Sequence, residues 1–99
     1  MTELWKIRAE ITVQPEDFPS GDTIGFMNII TWADSAEAAR EKIATYFQRF
    51  DWHIVGVEEA IVLSPDFTTD DDEFHELIER ARNNPDAILC GTFHSYEVN

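Results

Sequence analysis

The residue types in this chain best suited to chemistry are one cysteine, three histidines and several clustered acids. Cys90 and His94 stand four apart in a stretch that reads as a strand, a spacing that points both side chains to one face. A thiolate and an imidazole so placed could share a zinc ion if further ligands came from elsewhere, with His75 and His53 as the other imidazoles. No Cys-x-x-Cys or His-x-x-x-His pair accompanies them, so they read more simply as packing side chains, and no metal or cofactor is expected.

Glu58 and Glu59 form a second group, with Asp51 and His53 just upstream. Neighbours on a strand face opposite sides, so the two glutamates are not expected to work as a carboxylate pair. Turned inward, one of them would have a raised pKa and could serve as a general base. The plainer expectation is that it reaches water beside a bulge.

The acids Asp70-Asp71-Asp72-Glu73 stand where a helix begins, and negative charge stabilises the positive end of a helix without any ligand. A calcium loop would need alternating ligands and a mid-loop glycine, which this run lacks. From Asp66 to Glu79 there are seven acids and no base. Within that block Asp71, Asp72, Glu76 and Glu79 lie off the helix's apolar stripe and form the expected docking surface for a basic protein. Gly21, Gly25, Gly56 and Gly91 are scattered singly, so no phosphate cradle forms, and no Ser-His-Asp order or nucleophile elbow is present.

The elements that must hold these residues follow from periodicity. From Leu4 to Val13, Trp5, Ile7, Ala9, Ile11 and Val13 alternate with Lys6, Arg8, Glu10 and Thr12, the mark of a half-buried strand. Gln14 to Thr23 holds Pro15, Pro19 and Gly21 and reads as an acidic loop. Ile24 to Trp32 is a second strand. Ile24, Phe26, Ile30 and Trp32 lie on one face and Met27 and Ile29 on the other, so it is covered on both sides or faces a partner.

Asp34 with Glu37 suggests a capping box, and Ala36, Ala39, Ile43, Phe47 and Phe50 form the stripe of a first helix. Trp52 to Leu63 predicts a third strand with a bulge near Gly56. A second helix from about Asp71 to Asn83 buries Phe74, Leu77, Ile78 and Ala81, and Asn84-Pro85 stops it. Ala87 to Glu97 closes as a strand.

Right-handed crossovers would put both helices on one side. The expected fold is thus one α+β domain over 1–99, a two-layer sandwich in ββαβαβ order. Its four-stranded mixed sheet would carry two helices on one face, in the style of ferredoxin-like folds but without a helix between the first two strands. The uncovered sheet face, with Met27 and Ile29, is then the expected surface for homo-oligomer formation.

Composition limits the partners. The 99 residues carry a formal charge of −13, which repels nucleic acid and anionic membranes, so neither is an expected partner. A hydrophobic share of 43% with 12% aromatics supplies a real core rather than a disordered chain. A lone cysteine allows no internal disulfide, the start Met1-Thr2-Glu3-Leu4-Trp5 has no signal-peptide pattern, and no apolar run reaches ~18 residues. The cytoplasm is the expected compartment.

The block from Trp32 to Arg40, together with Trp52 to Ala60 and Gly91 to Tyr96, resembles small uncharacterised bacterial α/β proteins. In size, charge and class the chain is also similar to small acidic immunity proteins that neutralise bacterial toxins. Neither resemblance implies a catalytic residue. The function expected from the sequence is a non-enzymatic protein-interaction domain, self-associating or bound to a basic protein in the manner of an inhibitor. The alternative is a small enzyme or ligand binder with its site around His94, Cys90 and Glu59.

Overall fold

In the computed structural model, which describes residues 2–19 and 21–95, the chain runs β1 (Glu3–Thr12), β2 (Ile24–Ala33), α1 (Ala36–Phe47), β3 (His53–Leu63), α2 (Asp72–Arg82) and β4 (Ile88–Ser95). A single 3-10 turn over Gln48–Phe50 follows α1. The expected order ββαβαβ is therefore present. Tyr96 and Glu97, the last two residues of the expected closing strand, lie outside the described residues.

The four strands form one sheet in the order β3-β1-β2-β4, and every neighbouring pair is antiparallel. This corrects the expected mixed sheet. β2 and β3 do run parallel, but β1 lies between them, so no parallel pair is hydrogen-bonded.

The helices also differ from expectation: they lie on opposite faces of the sheet. Ala39, Ile43 and Phe47 of α1 pack with Ile7, Ala9, Ile11, Met27 and Ile29. Leu77, Ile78 and Ala81 of α2 pack with Leu4, Ile30 and Leu63. Ile29 and Ile30 are both 0% exposed and, being neighbours on a strand, point to opposite sides. The physical reason lies in the topology. The right-handed rule governs crossovers between parallel strands, whereas β3 and β4 are antiparallel and stand at opposite edges, leaving α2 free to cross the other face. Met27 and Ile29, expected on an open face, are sealed beneath α1.

Local chemistry fixes the helix ends. Ser35, not Asp34, caps α1, its side chain accepting from the Ala38 N–H at 3.0 Å. Asp34 instead accepts from the Thr2 hydroxyl at 3.0 Å. Asp71 caps α2 by accepting from the Phe74 N–H at 2.9 Å, with Asp72 and Glu73 in the first turn and Arg80 and Arg82 in the last. Asn83 and Asn84 donate back to the Glu79 and Arg80 carbonyls, satisfying groups the helix end leaves open.

The loop after β1 is tied down rather than loose. Phe18 stacks on Phe93 with centroids 4.6 Å apart, and the Trp52 indole N–H donates to Asp17 at 2.6 Å. Gly25 lets β2 and β4 approach closely, for a Cβ there would sit 2.5 Å from the His94 carbonyl oxygen.

Candidate functional site

Two bulges decide where the chemically interesting side chains point. Between β2 and β4 the partners step from Ile29↔Cys90 to Met27↔Phe93, so Gly91 and Thr92 together stand against Asn28 alone. The extra residue reverses the alternation. Cys90 joins the α1 side of the core, while His94 pairs with Phe26 on the α2 side. The expected shared face for Cys90 and His94 is thus overturned, and with it the geometry for a zinc pair. Burial pushes the Cys90 thiol up to about 11, which keeps it protonated and inert near neutral pH. His53 is exposed at the start of β3 and His75 on α2. Among the described residues no three His, Cys, Asp or Glu side chains gather to hold a metal ion.

The second bulge lies in β3, where Arg8 pairs with Glu59 and Ala9 with Val57, leaving Glu58 as the extra residue. Glu58 and Glu59 consequently turn to the same side, against the strict alternation expected for neighbours. Glu59 binds Lys6 at 2.8 Å and Glu58 binds Arg8 at 3.2 Å. Lys6, by its hydrogen bond first and its charge second, holds the Glu59 carboxyl below the usual range. An inward Glu59 with a raised pKa, the general base the sequence allowed, is therefore excluded. Both carboxylates are exposed and ion-paired.

What the fold does assemble is a polar cavity of ≈ 410 Å³ between the start of α2 and the sheet. Lys6 from β1, Asn28 from β2 and His94 from β4 line it from the sheet, and Thr69, Asp71, Glu73 and Phe74 from the α2 side. Glu73 ties the two sides together. Its oxygens accept from the Thr92 backbone N–H at 2.8 Å and the Thr92 hydroxyl at 2.7 Å, the polar groups the bulge left open. Those two bonds, with a smaller contribution from His94, hold the Glu73 carboxyl below its usual value.

Gly91 makes the junction possible, since a Cβ there would lie 3.0 Å from a Glu73 oxygen and 3.2 Å from the Asn28 carbonyl. The side-chain oxygen of Asn28 is buried and has no hydrogen-bond partner among the described residues.

The sequence pointed to His94 and Glu59, read Glu73 only as an acid at the helix start, and missed Lys6 and Asn28. The lone glycine within the β4 pattern was the available signal, because such a glycine often marks a bulge or a close approach. Of the expected acidic surface, Asp71 serves as the α2 cap and Glu79 faces Arg82 at 3.5 Å, while Asp72 and Glu76 are exposed. No helix among the described residues is long and apolar enough to cross a membrane. No protein-family model, curated protein or solved structure matches the chain.

Proposed function

We propose that this chain is a protein-interaction domain that self-associates through the outer edge of β3. One observation carries the reading. Of the five large apolar side chains exposed among the described residues, Val55, Val57, Ile61 and Val62 all lie on this edge strand, at 37–53% exposure, and Phe50 just precedes it. An 11-residue edge strand with apolar side chains and open backbone groups is a template for a further strand.

The segment Glu59–Leu63 pairs with β1 without a register break and offers the flattest stretch. Antiparallel pairing of two copies about Ile61 sets Ile61 against Ile61 and Ala60 against Val62, apolar on apolar, as an isologous contact requires. Charge does not oppose it locally, because Lys6 and Arg8 balance Glu59 and Glu58 beside the seam. The self-association expected from an open sheet face is thereby moved to an edge.

Light scattering at rising concentration is the test, with a mass approaching that of two chains as the expected result. Ile61→Lys places like charges opposite one another and should return the protein to one chain with its circular dichroism unchanged. A single-chain mass at every concentration would overturn the proposal. The exposed Asp72 and Glu76, in a chain of net charge −13, support a basic protein as a second partner. Binding there should weaken as salt rises.

A further inference from the structure

We propose that Arg82 of one copy pairs with Glu58 of a second copy across the β3 seam, twice by symmetry, and that these contacts fix the register of the dimer. Both contacts rest on the β3-edge pairing about Ile61 and name the side chains that select it.

Counting outward from Ile61, Glu59 faces Leu63 and Glu58 faces Ser64, the residue just past the end of β3. Facing residues of an antiparallel pair share one side of the sheet, so the α2 sides of the two copies coincide. Glu58 lies on that side because it is the extra residue of the β3 bulge. Arg82 stands on the same side, its Nη2 donating to the Ser64 carbonyl at 3.4 Å and to the Phe67 carbonyl at 3.5 Å. Facing Cβ atoms lie about 5 Å apart, a gap that these two long side chains span.

Both groups have capacity left. The contacts of Arg82 are all long, the ion pair with Glu79 included at 3.5 Å, and a guanidinium carries five N–H donors. Its side chain is 30% exposed and lines a cavity of ≈ 400 Å³ beside Val62, Leu63 and Ser64. Glu3, the other charged residue of that lining, is exposed to water at the start of β1. On Glu58, Arg8 takes Oε2 at 3.2 Å and leaves Oε1 to accept, on a side chain 49% exposed.

The pair discriminates between registers. Centred on Val62, the same two edges would set Glu58 against Asp66, carboxylate against carboxylate. Centred on Ala60, they would set Glu58 against the apolar Val62. Of these three registers, the one about Ile61 alone brings Glu58 to the residue that holds Arg82. A charge pair favourable in one alignment and absent or repulsive in the others gives specificity more than affinity.

Charge reversal in mixed samples is the experiment, read by sedimentation equilibrium at a concentration where the native protein is mostly two chains. Arg82→Glu and Glu58→Arg each set like charges at both contacts of a homodimer, and each should weaken it about tenfold or more. An equimolar mixture of the two variants restores opposite charges at both contacts, so its mass should return towards that of two chains. Arg80→Glu, exposed on the same helix and equal in charge change, should stay within about twofold of the native protein at ~0.15 M salt, where distant charges are screened. If Arg82→Glu does not fold, Arg82→Gln keeps an N–H for the loop carbonyls, and its mixture with Glu58→Arg should still associate more tightly than either variant alone. A native protein that is single at every concentration overturns the edge pairing and this contact with it. A mixture no heavier than its components, or an Arg80→Glu as weak as Arg82→Glu, overturns the contact while the edge pairing stands.

Discussion

Ile29 and Ile30 test the placement of the helices more directly than any other pair. Both are fully buried neighbours on β2, one beneath α1 and the other beneath α2. With both helices on one face, one of the two would face water and its truncation would be nearly silent. In the three-layer arrangement both must be costly. Ile→Ala removes three carbons, worth about 2.4 kcal/mol at ~0.8 kcal/mol per buried methylene. The cavity left behind adds to that, so each substitution should cost about 3 kcal/mol, within the usual 2–5 kcal/mol range. Against a total stability of ~5–15 kcal/mol neither change alone need unfold the protein.

Urea unfolding followed by circular dichroism gives the reading. With a slope of roughly 1.5 kcal/mol per molar, each variant should move the midpoint down by about 2 M. Thr45→Ala, exposed on α1 and away from the β3 edge, is the control and should change stability by under ~1 kcal/mol. If either Ile29→Ala or Ile30→Ala behaved like that control, the helices would not lie on opposite faces.

Two further outcomes follow from the core. Phe47 is the largest fully buried side chain, so Phe47→Ala should cost about 3–5 kcal/mol in the same assay, and a loss under ~1 kcal/mol would mean the α1 stripe is misplaced. The Cys90 thiol, raised from 9.0 to about 11 by burial, should resist iodoacetamide in the native protein at pH ~8 and react quickly once urea unfolds it. Its contribution to stability is complete below the unfolded value of 9.0 and is lost as pH rises towards about 11, so alkali should destabilise the native chain more than Cys90→Ala.

The extent to which the sequence revealed this fold depends on what each pattern measures. Period and punctuation placed all six elements, because alternation and the 3.6-residue stripe are local consequences of backbone geometry. Strand order and helix side are not local. They depend on which strands pair, and nothing in the β3 or β4 patterns states that these strands occupy opposite edges. One signal did speak to the layers. β2 is apolar on both faces, with Ile29 and Ile30 at full burial, and a strand with that pattern needs cover on both sides. The helix that supplies the second cover is α2, whose stripe meets Leu4 and Ile30.

The side-chain assignments failed for one shared reason. Alternation predicts the face of a strand residue only as far as the next bulge, after which every later residue is inverted. Cys90 and His94 lie on either side of the bulge at Gly91 and Thr92, so a spacing of four separates their faces instead of uniting them. Glu58 is itself the extra residue of the β3 bulge, so it shares a face with Glu59. That same inversion builds the polar cavity. It turns His94 towards Lys6 and Asn28, and it exposes the Thr92 N–H and hydroxyl that Glu73 accepts from. Thr92 belongs to the bulge and gives both of its donors to Glu73, so the irregularity in β4 is also the point at which the start of α2 is tied by hydrogen bonds to the sheet.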